Sequence, residues 1–386
     1  MKHLLIYLLT LAWLSNLVAC TSTTSQVTNP DIVSIELPLR QNDQLIKLSE
    51  LADSIRYIPL QTTDSCLIGS IDKLLQTDKG KFVIVDKETA VAVYLFDKNG
   101  RFLNHIGRRG QGYGEYVSIE DVTWGDGYVY VWDSSLHKVL KYTEQGKLVN
   151  EFKFDHTAYS VHFLQEDVLA FACDYTPNHS LKQKGKYPNL LIYDATSDQL
   201  NTDLYFDERM DGTGFMSTLN NLTEGNLYLP LNDTLYTVDK TGASAKYVLR
   251  YADRYEKNKE EYIRTCLTEP ITADKAEDAF HQGAYPHLIT YLNCDSLSLL
   301  FMRMKDRLYY GFYYPHTGIY KEANSTERWP IVNDLHKTFL FSPRCAKGNR
   351  VYCVTDPSAF LKENENSLTV REEDNPIIVE IFMKAR

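Results

Sequence analysis

The chain lacks the short patterns that usually announce catalysis or metal binding. His-x-x-x-His and His-Glu-x-x-His are absent, so no helix carries a metal pair at ligand spacing. Gly-x-Ser-x-Gly is absent, which excludes the strand-turn-helix nucleophile elbow. Gly-x-x-x-x-Gly-Lys is absent as well, and with it the phosphate loop. The sialidase-type Asp box is also missing. Cysteine is sparse, seven in 386 residues, and the spacings follow no zinc or disulfide-framework pattern. Positive charge is in deficit, with a formal net charge of −10 that argues against nucleic acid and against a polybasic attraction to anionic lipid. Long hydrophobic runs are lacking too. The longest, Leu4–Leu14, is broken by Thr10 and falls short of the ~20 residues a membrane span needs.

That short run has a different meaning. Lys2 and His3 precede it, and Leu17-Val18-Ala19-Cys20 follows. A basic start, an apolar stretch and this ending predict a signal peptide over residues 1–19. The four-residue ending closely resembles the bacterial lipobox, which implies lipid on the Cys20 thiol. Ordinary secretory cleavage after Ala19 fits less well, because Leu17 occupies a place where a small residue is wanted. Residues 20–31 are rich in Thr, Ser, Asn and Gln and read as a flexible tether. Thr21–Thr28 carries no acidic residue. That resembles the sorting pattern of an outer-membrane lipoprotein facing the periplasm, with surface exposure as the alternative.

What the chain has in excess is tyrosine, 27 residues, which favours strands first and half-wet binding surfaces second. It also repeats. Phe82–Ile106 and Tyr128–Phe152 share one plan: a β-rich run, an Asp, a second run, a turn ending in Gly and a third run. The turn recurs with its last position at 100, 146, 197, 242 and 318. The steps are 46, 51, 45 and 76 residues, and the long one contains a charged, helix-prone insertion at 251–283. A period of about 40–50 residues with several strands per unit predicts an all-β, six-bladed β-propeller over 32–386. In this reading the insertion forms one or two short helices between blades 4 and 5, divided at Pro270. The sixth unit lacks one strand, which Ile55–Leu60 can supply, closing the ring between its N- and C-terminal strands and removing exposed edges. Ile32–Leu37 alternates weakly as a strand, Lys47–Asp53 reads as one helical turn or a short loop, Thr338–Cys345 and Arg350–Thr355 as strands, and Pro357–Asn366 as a short helix and loop.

The lipobox, Ile55-Arg56-Tyr57-Ile58-Pro59-Leu60-Gln61-Thr62, the loop Ile106–Tyr116, Asn232-Asp233-Thr234-Leu235-Tyr236 and the ending Asn375-Pro376-Ile377-Ile378-Val379 together resemble one group. The chain is similar over nearly its whole length to the six-bladed β-propeller lipoproteins of Bacteroidetes, akin to the NHL and TolB-like propellers. The resemblance implies a fold and a compartment. That family largely lacks assigned activities.

Candidate chemistry falls in three places. The loop 107–116 holds four Gly with Arg108, Arg109, Tyr113 and Glu115. It suits either an anion cradled by backbone N–H groups and guanidinium forks, or a structural crossing from blade 1 to blade 2 with an Arg paired to Glu115 or Glu120. The innermost strands line the channel, where Asp121, Trp124, His162, His287, Tyr291 and Arg344 are candidates for binding a sugar or a divalent cation (Ca or Mg), or for water-bridged lining. Tyr113, Tyr116, Trp124 and Tyr285 suit sugar stacking or strand packing. Beyond Cys20, the cysteines Cys66, Cys173, Cys266, Cys294, Cys345 and Cys353 read as mostly free, with Cys345/Cys353 the pair worth testing. These features favour a lipid-anchored, non-catalytic binding or scaffolding module with a glycan or protein partner and no nucleic acid. The alternatives are a divalent-cation-dependent hydrolase or lyase acting on a carbohydrate or lactone in the channel, and a hub docking through 251–283.

Overall fold

A computed structural model describes residues 32–211, 221–268, 285–335, 339–362 and 369–385, apart from the side chains of Cys266 and Lys362. The signal peptide, Cys20, the tether and Pro270 lie outside these residues, as does most of the second half of the insertion.

Apolar periodicity explains how each blade is built. Phe82–Asp86 is buried at every position because it is sandwiched on both faces, whereas the outer strand Phe102–His105 alternates between half-buried and exposed. Side chains leave a strand on alternate faces, so Phe82 and Ile84 pack toward one neighbouring blade and Val83 and Val85 toward the other. The same division recurs around the ring. Among the described residues, six hydrophobic clusters fill the six junctions between successive blades.

The blades are six antiparallel sheets in a propeller arrangement. Blade 1 runs from Lys73–Gln76 to Phe102–His105, blade 2 from Asp121–Gly125 to Leu148–Lys153, and blade 3 from Ser160–Gln165 to Gln199–Asp207. Blade 4 runs from Leu222–Thr223 to Gly242–Tyr251, and blade 5 from His287–Asn293 to Ile319–Ser325. Blade 6 comprises Cys345–Lys347, Arg350–Thr355 and Ile377–Met383 and is completed by Ala52–Pro59. That last strand pairs antiparallel with Ile377–Met383, Tyr57 opposite Val379, so the ring closes through its two ends as the sequence predicts.

The repeat's Asp has a structural task. Asp86, at the end of the second strand of blade 1, accepts hydrogen bonds from the backbone N–H groups of Gly69, Ser70, Thr89 and Ala90. Asp133 does the same in blade 2 for Val117, Ser118 and Leu136. Each carboxylate pins the entry loop of its blade, a charge-assisted use of an otherwise costly buried acid. Asn375 of the C-terminal motif holds the loop into blade 1, donating to the carbonyls of Gln61 and Cys66 and accepting from the Ile68 N–H. The repeat's turn glycines are left-handed, with φ +82° at Gly100 and +74° at Gly146. A Cβ at Gly100 would stand 2.1 Å from the Pro59 carbonyl oxygen, so this turn also butts against the closing strand.

Several elements depart from the sequence reading. Val33–Leu37 is a fifth strand of blade 4, parallel to Gly242–Tyr251. From there the chain straps across blade 5: the N–H groups of Leu39 and Arg40 donate to buried Glu322, and Ile46–Lys47 pairs with Ile331–Val332. The predicted turn at 47–53 is the helix Leu48–Leu51, and Pro357–Lys362 is helical as expected. The strand expected over Thr338–Cys345 is instead Cys345–Lys347, because 339–344 pairs with no neighbour as a strand. Among the described residues of the insertion there is one helix, Asp253–Thr268, whose Tyr255, Tyr262, Ile263 and Leu267 pack onto blades 3, 4 and 5.

Candidate functional site

The inner strands are laced together across the blades. Lys73 of blade 1 sits 2.8 Å from both carboxylate oxygens of Asp121 of blade 2, with the side chains 4% and 1% exposed. Asp121 also accepts from the Val161 N–H of blade 3 at 2.8 Å, and Thr123 accepts from Phe163 N–H. Ser160 donates to Asn221, and Asn293 of blade 5 donates to Asn226 of blade 4. Burial pulls the Lys73 pKa down, against the Asp121 carboxylate that holds it up. His162 lies beside Gly225, and burial, with Lys73 and Lys347 adding and Asp121 opposing, drops its pKa to about 4. Glu224, at the tip of the short inner hairpin of blade 4, adopts φ +50°. Its side chain is exposed, and the protein packed around it pushes its pKa up, with Lys347 opposing and Asp78 adding.

A second feature opens where the junction of blades 6 and 1 meets the face that carries the inner hairpin turns. A cleft of about 800 Å³ runs there, with five cationic and four acidic side chains on its walls. Its size falls within the ~300–1,000 Å³ typical of small-molecule sites. Glu380 is its buried anchor: it accepts from Arg56 Nε at 2.6 Å and from the Tyr352 hydroxyl at 3.0 Å, with Arg350 at 3.6 Å. The Arg350 guanidinium lies 5.5 Å from the centre of the Phe382 ring. Lys347 spans the cleft to Asp78 at 2.9 Å. Lys98, Asp53 and Asp295 also line the wall, with exposed heads that form no ion pair among the described residues, and Lys79 stands 4.0 Å from Glu144. The turn holding Lys347 is itself fixed, with Asn349 donating to the Met383 carbonyl and Ser296 donating to Asn349.

The sequence over residues 32–382 matches the family model for a domain of unknown function, DUF4934. The chain belongs to the DUF4934 family. Among solved structures, a candidate exported protein of Bacteroides fragilis is 17% identical, with a TM-score of 0.68 over 92% of this chain and 99% of that one. A member of the DUF4221 family from Bacteroides vulgatus is 11% identical, with a TM-score of 0.51 over 89% of this chain and 99% of that one. At these identities the likeness is one of fold. No curated protein matches the chain at a significant level. A Bacteroidetes propeller family of unassigned function is therefore where this sequence sits.

The DUF4934 propeller distributes the residues singled out from sequence over several places. Arg108, Arg109, Tyr113 and Glu115 share the loop from blade 1 to blade 2, on the face opposite the cleft. Arg108 pairs with Glu115 at 2.6 Å, Gly112 N–H donates to Glu115, and Tyr113 is 74% exposed. Glu120 is engaged elsewhere, accepting from Ser134. Tyr116 is buried, its hydroxyl donating to the Ile106 carbonyl. Trp124 is half-buried against the junction of blades 1 and 2. His287 is buried with its ring 4.4 Å from that of Tyr285, beneath the insertion helix, and burial lowers its pKa to about 3. Tyr291 is also buried, its hydroxyl donating to Asn293. Arg344 is exposed just before the inner strand of blade 6. Among the described residues no three His, Cys, Asp or Glu side chains converge at metal-ligand distance.

Cys66, Cys173, Cys294, Cys345 and Cys353 are free thiols. Cys345 stands opposite Tyr352 in the sheet, so Cys353 falls on the other face. Cys345 packs at the junction of blades 6 and 1 and Cys353 at that of blades 5 and 6, which separates the pair the sequence put forward. The cleft residues Arg56, Lys98, Lys347, Arg350 and Glu380 were not marked as functional in the sequence. The available signals were Arg56 inside a motif shared with the propeller group, and a Lys-Gly-Asn turn at 347–349.

Proposed function

We propose that this protein is an exported, lipid-anchored propeller that acts as a non-catalytic binding module, with the cleft between blades 6 and 1 as its ligand site. The observation that carries the reading is the cleft itself. Its walls come from turns braced by the ring closure, and Lys98, Asp53 and Asp295 present charges that no ion pair neutralises. Lys73 and Asp121 on the channel strands, by contrast, are engaged with one another. Export fits the leader sequence and the fold shared with a candidate exported protein. A lipid on Cys20 would tether the ring through residues 20–31, at an outer membrane on its periplasmic side.

Two measurements test this. The full chain is screened by thermal shift against sugars, sugar acids and peptidoglycan fragments, since a ligand bound only by the native state raises the midpoint by mass action. A metal-independent shift is expected. The Cys20→Ala variant should lose its lipid and leave the membrane fraction; a variant that stays membrane-bound would refute the tether. One observation favours a second reading. Glu224, an exposed carboxyl at the tip of the inner hairpin of blade 4, has its pKa pushed up against the opposing charge of Lys347, the direction a general acid or base at neutral pH needs. A shift that appears only with Ca²⁺ or Mg²⁺ and is reversed by EDTA would support a hydrolase or lyase there and count against the binding module.

A further inference from the structure

Resting on the cleft as binding site, we propose that it takes an acidic oligosaccharide, a ligand whose carboxylates meet Arg350, Arg56 and Lys98 while its hydroxyls meet Asp53 and Asp295. The net charge of the chain is −10, yet the cations in this cleft outnumber the acids by one. One of those acids, Glu380, is 1% exposed and already shared by Arg56, Arg350 and Tyr352. Another, Asp78, is held by Lys347. The open positive charge lies at Lys98, at Lys79, whose 73% exposed side chain stands 4.0 Å from Glu144, and at the outward edges of Arg56 and Arg350, whose side chains remain 45% and 48% exposed, while Asp53 and Asp295 carry the open negative charge. A guanidinium forks naturally onto a planar carboxylate. Phe382 lies beneath the Arg350 guanidinium, 5.5 Å from it to the ring centre.

The two unpaired aspartates set the rest of the chemistry. A carboxylate next to cations would repel a compact polyanion such as phosphate, but it accepts hydrogen bonds from hydroxyl groups. Cations and separated acceptors in one cleft therefore suit a molecule carrying both acidic groups and hydroxyls. Among the described residues Phe382 is the one aromatic ring on the wall, and the Arg350 guanidinium stands over it, which disfavours a neutral glycan that needs an open stacking platform. The volume of about 800 Å³ suits several linked sugars better than one.

The test is a calorimetric titration of the full chain with three probes: a galacturonic acid trimer, a neutral galactose trimer and inorganic phosphate. The acidic trimer should bind, and binding should weaken at least tenfold as sodium chloride rises from 0.05 to 0.5 M. Lys98→Glu, an exposed turn residue with no ion pair, should weaken it at least tenfold, and Arg350→Ala should do the same. Lys240→Glu makes an identical charge change in an exposed turn of blade 4 and should leave binding intact. Equal affinity for the neutral trimer, lost in Lys98→Glu, would overturn the acidic-ligand inference while leaving the cleft as the site. Phosphate binding as tightly as the trimer would overturn the role given to Asp53 and Asp295. Acidic-trimer binding indifferent to both Lys98→Glu and Arg350→Ala would overturn the cleft itself, and the binding-site reading with it.

Discussion

Asp121→Asn should destabilise the ring strongly at neutral pH and much less at pH 9. The substitution keeps the shape of the side chain and an oxygen to accept from the Val161 N–H, but removes the charge that faces Lys73. An ammonium 4% exposed then has no carboxylate beside it. Removing one partner of a buried ion pair costs about 3–5 kcal/mol. There is also an upper limit, because Lys73 can enter the fold neutral. Deprotonating a lysine with an unfolded pKa of about 10.4 at pH 7 costs about 4.6 kcal/mol, at 1.36 kcal/mol per unit. At pH 9 that limit falls to about 1.9 kcal/mol. The sign follows from proton counting. In the variant the folded-state pKa of Lys73 lies below its unfolded value, so the unfolded chain binds the extra proton and the loss fades as pH rises. Urea unfolding of wild type and variant at both pH values, with linear extrapolation, gives the two differences. A loss below about 1 kcal/mol that is the same at pH 7 and pH 9 would show that channel water solvates Lys73, and the lacing of blades 1 to 3 through this pair would be refuted.

Two further outcomes follow from the geometry. Gly100→Ala puts a Cβ 2.1 Å from the Pro59 carbonyl in a left-handed turn, whereas Gly127→Ala (φ +84°) meets nothing within 4 Å. Gly127→Ala should cost about 1–2 kcal/mol and Gly100→Ala clearly more, and equal losses in urea would mean the turn does not press on the closing strand. His287 lies beneath the insertion helix with Tyr285, Tyr251 and the Asp233–Lys259 ion pair around it. Burial holds its folded pKa near 3, below the unfolded 6.5, so stability should fall as pH drops below 6.5. The loss is about 2 kcal/mol by pH 5. His287→Phe should lose that share of the slope and keep the share from His162, whose pKa is also lowered by burial, and an unchanged slope would show a solvated imidazole at 287.

The architecture was legible because a propeller repeats its own chemistry. The Asp that ends the second strand, the turn glycines at Gly100 and Gly146 and the apolar run Phe82–Val85 each serve the same role in successive blades, and periodicity exposes them. The missing sixth-blade strand could be counted, and Ala52–Pro59 filled it. The strap over blade 5 could not be counted, because Val33–Leu37 adds a fifth strand that no period demands. The cleft was hidden for a related reason. Arg56, Lys98, Lys347 and Glu380 are distant in sequence and belong to the closing strand, two turns and a central strand, and only the ring closure brings them together. The loop 107–116 stood out locally through its glycines, and it does place Arg108 on Glu115 as the structural reading of that loop expects. It lies on the opposite face from the cleft. Which face is functional is a property of three-dimensional placement that composition does not carry.

Hydrogen exchange on the full chain, with and without the probe that gives the largest thermal shift, tests the binding-module account most directly. The account predicts slowed exchange in peptides covering residues 53–56, 76–80 and 347–350, with the loop 107–116 unchanged. Protection confined to that loop, or to Glu224 and the channel strands, would contradict it.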